Sequence, residues 1–151
     1  FDRPTIRYQV IATYQQFAYS REPFLSNDKT WIIPTDDLSI LAVLNSSTAW
    51  WFLGRISAHL IGGALELRSI YVGQIPIPEI SGEEKRAIEN TVATILAAVS
   101  SGDSKVVQEQ ESLLDDRISR LYGLTPDERA LISSDPAVIN RLPRVIEKDS
   151  K

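Results

Sequence analysis

The chain has 151 residues, of which 43% are hydrophobic and 24% charged, proportions that call for a packed core and exclude wholesale disorder. Its formal net charge is −4, which argues against a free-standing nucleic-acid binder of the usual basic kind. It has no cysteine, so disulfides and thiolate metal sites are excluded.

The first segment reads as β structure. Residues Thr5 to Ala12 alternate and are rich in β-branched side chains, which predicts one strand. A second short strand is expected over Gln16 to Tyr19, with turns at Glu22-Pro23 and Ser26-Asn27-Asp28. Lys29 to Ile33 reads as a third strand, stopped by Pro34. The period then changes. Thr35 or Asp36 can cap a helix whose apolar stripe is Leu38, Leu41, Ala42 and Leu44. Asn45-Ser46-Ser47 ends that helix, and Ser47 or Thr48 can cap the next. The next is expected from Ala49 to Leu60, apolar on several sides through Trp50, Trp51, Leu53, Ile56 and Leu60. Gly62-Gly63 breaks it. Ala64 to Ile70 alternates as a short strand, and Ile75-Pro76-Ile77-Pro78 predicts an extended exit.

The remainder reads as helical. Ser81 followed by Glu84 fits a capping box, and Ile88, Val92, Ile95, Leu96 and Val99 make one apolar face. After a tight connection at Ser101-Gly102-Asp103, Val107, Leu114, Ile118 and Leu121 make a second face, ending at Tyr122-Gly123. Two such helices joined by a short loop should lie antiparallel. Thr125-Pro126-Asp127-Glu128 is a strong helix start, with a short helix to about Ser133. The expected class is α+β: a small twisted, mostly antiparallel sheet with packed helices, then a helical hairpin. The expected division is an α/β part over residues 1–80, a helical part over 81–142 and a frayed tail over 143–151.

No apolar run reaches the roughly 18 to 20 residues that span a bilayer. The opening lacks the basic patch and apolar core of a signal peptide. With the absence of cysteine, this suits a cytoplasmic protein. Methionine is absent throughout, position 1 included, so the expectation is a chain cut from a longer one. The charge is unevenly spread: six basic and six acidic residues up to Pro78, then ten against fourteen. The first part is neutral, so any affinity for DNA that it has alone should be weak.

Catalytic constellations are hard to find. His59, the one histidine, has no evident nucleophile or ligand partner and reads as a helix-end packing residue. Gly62-Gly63 lacks the company of a phosphate-binding loop and reads as a turn needing positive φ. Glu83-Glu84-Lys85 matches the end of a nuclease metal site only formally, because acidic residues at a helix start suit its dipole anyway. The glycine-rich loop and the Asn-Pro-Pro-aromatic tetrad of methyltransferases are both absent. The expectation is a chain with no catalysis, metal or cofactor of its own.

One ordered series stands out. Asp36-Asp37-Leu38, then Leu41 to Ser46, Trp50-Trp51-Phe52, Gly62-Gly63, Leu67-Arg68, Tyr71-Val72 and Gln74-Ile75-Pro76-Ile77-Pro78 follow one another. This series resembles the TaqI-like C-terminal specificity domain of type IIG restriction-modification enzymes and related adenine methyltransferases. Pro4, Ile6, Tyr8, Phe17-Ala18 and Asn27 upstream also look like that family's entry, and Leu121 to Thr125 with Glu128 like its ending. The resemblance implies a target-recognition region that holds double-stranded DNA while an adenine is flipped into an upstream methyltransferase domain of the same parent chain. S-adenosylmethionine would belong to that domain. The shared series is scaffold, so base readers must be sought by chemistry. Arg and Lys suit guanine edges and phosphates, while Asn and Gln suit adenine. The candidates are Arg7, Gln16, Arg21, Asn27, Lys29, Arg55 and Arg68, with Tyr14, Gln15, Ser57 and His59 as further polar neighbours. Arg21, Lys29, Arg55 and Arg68 lead. The alternative is an assembly module akin to the conserved helices of type I specificity subunits, self-associating through the face at Val107, Leu114, Ile118 and Leu121.

Overall fold

The computed structural model describes residues 3–139 apart from Phe24 and Ser26; the expected tail over 143–151 lies outside them. The alternation Thr5-Ile6-Arg7-Tyr8-Gln9 forms β1 (Thr5–Gln9), the middle strand of a first sheet. β1 and β2 (Ile11–Ala12) part at Val10. On one side of β1 lies β3 (Ala18–Ser20) and on the other β4 (Thr30–Pro34), both antiparallel. Ile6 stands opposite Tyr19 and Ile33, and Arg7 opposite Ala18 and Ile32. Ile6 and Tyr8 therefore face the core, while Arg7 and Gln9 share the other face.

The single strand expected over Thr5 to Ala12 is thus two strands in two sheets. β2 pairs with β6 (Leu65–Glu66), which pairs with β5 (Ala58–His59). At the break, the Val10 N–H donates to the Lys29 carbonyl at 3.0 Å, and the Val10 carbonyl accepts from the Leu67 N–H at 2.5 Å. Side-chain alternation reports which face a residue takes, not which neighbour its backbone reaches. That is why the change of partner was hidden.

α1 (Leu38–Leu44) starts one residue later than expected. Asp37 is its cap, accepting from the Ser39 N–H at 2.9 Å, while Thr35 Oγ1 accepts from the Asp37 N–H. α2 (Ser47–Ile56) is capped by Ser46 and not by Ser47 or Thr48. The N–H of Ser47 instead donates to Asp115 at 2.6 Å, a carboxylate at a helix N-terminus supplied from another helix. α2 stops at Ile56, short of Leu60, because Ser57 turns extended and His59 enters the ladder opposite Leu65. His59 is therefore a strand residue. The turn that follows holds Gly62 and Gly63 at φ 86° and 77°, a region that side-chain-bearing residues avoid. The strand expected over Ala64 to Ile70 shrinks to Leu65–Glu66, and α3 (Ser69–Val72) replaces its second half.

α4 (Gly82–Ser101) and α5 (Ser104–Leu121) form the expected hairpin, closed by Gly102 at φ 74°. The two capping-box signatures behave differently. At α6 (Pro126–Ser133), Thr125 and Glu128 exchange both bonds, at 3.2 and 2.8 Å. At Ser81 no side-chain cap bond forms, and Glu84 lies 3.6 Å from Arg117 instead. α7 (Pro136–Ile139) ends the described chain.

One apolar cluster runs from Ile6 through Trp50, Leu53, Ile88 and Ile118 to Val138, so residues on both sides of Ile80 share it. Polar ties cross the same way: Lys85 to Asp37 at 2.9 Å and Arg55 to Asp135 at 2.9 Å. The Tyr122 hydroxyl donates to the Pro76 carbonyl at 2.6 Å and pins the extended exit; burial pushes its pKa up to about 12. The architecture is α+β with antiparallel sheets and C-terminal helices, as the sequence indicates.

Candidate nucleic-acid interface

The outward face of the first sheet follows from its register. Thr5, Arg7 and Gln9 lie on it, opposite Ser20, Ala18, Ile32 and Thr30. Arg7 lies along this face, with Nε donating to Thr5 Oγ1 at 3.3 Å and an Nη donating to the Glu22 carbonyl at 2.8 Å. These bonds tie the guanidinium to β1 and to the segment that follows β3. Gln9 was missed as a candidate. The signal was in the sequence, since Gln9 is two residues from Arg7 in the same alternation.

Lys29 and Arg68 enter on either side of Val10, because Val10 bonds to Lys29 on one side and to Leu67 on the other. Both side chains are exposed, and neither forms an ion pair among the described residues. Gln9, Lys29, Thr30 and Arg68 thus gather around the end of β1, while the Arg7 guanidinium reaches back toward its start.

The other candidates are engaged differently. Asn27 closes a turn: its Oδ1 accepts from the Lys29 N–H at 3.1 Å and the Thr30 hydroxyl at 3.2 Å. It shapes the loop that presents Lys29. Arg21 sits on the opposite face, with Nε donating to the Tyr19 hydroxyl at 3.2 Å. Gln16 bonds to the Tyr14 hydroxyl. Arg55 stacks 4.4 Å from the Trp51 ring centroid and pairs with Asp135, and that pairing, helped by the Ala137 N–H, holds the Asp135 carboxyl below its usual range. This guanidinium ties α2 to the segment before α7. Gln15 is fully buried and donates to the Asn45 carbonyl at 3.1 Å, and Ser57 is buried as well. His59 bonds to the Gly54 carbonyl at 2.7 Å, fastening the hairpin to α2.

Two acidic positions in the sequence prove to be structural contacts. Burial acts to raise the Asp37 carboxyl, but bonds from Ser39 and Lys85 outweigh it and lower the pKa. In the Glu83-Glu84-Lys85 stretch, Lys85, the end of the formal Glu-x-Lys match, reaches Asp37, and the intervening Glu84 reaches Arg117. No group of three or more His, Cys, Asp or Glu suited to a metal ion occurs among the described residues. No helix among them is long and apolar enough to cross a membrane.

The chain matches no model of a known protein family and no curated protein sequence.

Proposed function

We propose that this chain is a DNA target-recognition module of a restriction-modification enzyme, working in the cytoplasm and without catalysis of its own. The observation that carries the reading is the outward face of the first sheet. There Arg7, Gln9 and Thr30 offer donors and acceptors along a pleated surface, with Lys29 and Arg68 beside it. A strand surface of this kind can lie in a DNA groove, with phosphate contacts from flanking cations and base contacts from the amide and guanidinium. The ordered series from Asp36 to Pro78 supports the same reading by resemblance. On that reading the partner is an upstream methyltransferase domain of the parent chain, which would bind S-adenosylmethionine and perform the transfer.

The assembly alternative has less support. Val107, Leu114 and Ile118 are buried within the chain, so the face it requires is already covered.

The test is equilibrium binding of a random-sequence duplex pool at several salt concentrations, followed by sequencing of the bound fraction. Binding should weaken with salt, and Arg7→Ala, Lys29→Ala and Arg68→Ala should each lower affinity. A lost phosphate contact should reduce the salt slope by about one. Binding that ignores salt, or variants indistinguishable from the parent, would remove the proposal.

A further inference from the structure

The outward face of the first sheet also carries an apolar side chain. Ile32 and Ile33 are neighbours of one kind on β4 with opposite placements. Ile33, opposite Ile6, packs against the apolar cluster. Ile32, opposite Arg7, is only partly buried and stands outside that cluster. It therefore shares its face with Arg7, Gln9 and Thr30. Bonds to Thr5 Oγ1 and the Glu22 carbonyl draw the Arg7 guanidinium toward the β3 side of β1, away from Ile32. Gln9 and Thr30 form the next row, so Ile32 stands diagonally across the ladder from Gln9.

The relief of the face matters as much as its composition. β3 contributes only Ala18 and Ser20 to it, and both are small. The larger side chains of β1 and β4 form its raised part. Two antiparallel strands about 4.8 Å apart make a ribbon that the major groove, about 12 Å wide, admits and the minor groove, about 6 Å wide, does not. The floor of the major groove consists of hydrogen-bonding base edges with one apolar feature, the 5-methyl group of thymine. An apolar side chain set against any other edge takes water from a donor or acceptor and supplies no bond in return.

We propose that Ile32 reads thymine. Its side chain packs on the 5-methyl group in the major groove, while Gln9 and Thr30 beside it meet neighbouring base edges. This inference rests on the DNA-recognition role proposed above, and adds to it the base that one position of the target must hold.

The test uses the whole chain and a duplex taken from the selected pool. Each thymine is replaced in turn by uracil, which removes the 5-methyl group and keeps every hydrogen-bonding group. At one position the affinity should fall about fourfold, the worth of one buried methyl group. Ile32→Ala should bind the thymine and uracil duplexes equally, and Ile32→Val should keep most of the preference. Ile32→Ala should also leave the salt slope unchanged, because it removes no phosphate contact, whereas Lys29→Ala should lower it. Circular dichroism and the urea midpoint check that the variants are folded. The proposal is overturned if uracil is neutral at every position, or if the thymine preference survives Ile32→Ala intact. Where salt-dependent, sequence-selective binding persists, either result removes the assignment of Ile32 alone and leaves the recognition role standing. A chain that binds no duplex removes both.

Discussion

The two sheets share a chain path through Val10 yet are built differently. In the first, β1 and β4 pair along five residues, and one face turns Ile6, Tyr8 and Ile33 to the core while the other carries Arg7, Gln9 and Thr30. In the second, each pairing is two residues long, and the hairpin tip exposes Ile61 fully. A long ladder with one buried face fixes its register, since a slip by one residue would turn every core side chain to solvent. Only such a sheet can present Arg7, Gln9 and Thr30 at fixed spacing. The second sheet acts instead as a strap, tying the end of α2 back to the strand that leaves Val10.

The largest effect that sharpens this contrast is in the core. Ile6→Ala in β1, where the side chain is fully buried, should cost about 2–5 kcal/mol, while Leu65→Ala should sit near the low end of that range because a two-residue rung can relax around the loss. Urea unfolding of both variants decides it, and a greater loss at Leu65 would reverse the assignment of roles.

Asn45→Ala follows. It removes the clamp on both backbone groups of Phe17 and the bond to the Leu41 carbonyl at 3.1 Å. Polar groups left unpaired in part-buried surroundings should cost about 2–4 kcal/mol in all, read from the urea midpoint. Asn45→Asp should recover little, because an aspartate keeps the acceptor but loses the amide donor that serves Phe17 and Leu41. A neutral Asn45→Ala would show that the edge of the first sheet is held by its ladder alone.

How legible these features were in the sequence depended on how local their causes are. Thr125 and Glu128 satisfy one another within four residues, so their box could be read directly. Ser81 and Glu84 carry the same signature, but Arg117, more than thirty residues away, draws Glu84 off. The helical faces at Ile88 and Val107 were legible for the same local reason. The break at Val10, the early end of α2 and the Asn45 clamp were not, because each depends on a partner distant in sequence. Of the candidate residues, Arg7 lies on the outward face of the first sheet, and Lys29 and Arg68 are exposed beside it. The engagement of Arg55 by Trp51 and Asp135 could not be read without the fold.

A smaller effect checks that account. Thr125→Ala should cost about 1 kcal/mol, the usual worth of a helix cap, while Ser81→Ala should be close to neutral. Thermal unfolding of both variants suffices, and equal losses would contradict the structural difference between the two caps.

The smallest effect concerns pH. Asp37 caps the start of α1, and its pKa is lowered in the folded chain. Its contribution is present above the unfolded carboxylate value of about 3.9 and is lost as pH falls through the lower folded value. Lys85→Gln should flatten that stretch of the stability profile. An unchanged acid limb in urea midpoints taken down to pH 2 would show that the pair contributes nothing.

The central claim is that the outward face of the first sheet, and not the second sheet, meets DNA. The chain has no cysteine, so single cysteines can be placed at will. Gln9→Cys puts one on the outward face beside Arg7, and Glu66→Cys puts one on β6 opposite Ile11. Each would be coupled to a short photo-crosslinker and exposed to a duplex at low salt. Efficient crosslinking from position 9 with little from position 66 is the predicted result. The reverse pattern, or no crosslink from position 9 to a duplex that is demonstrably bound, would contradict it.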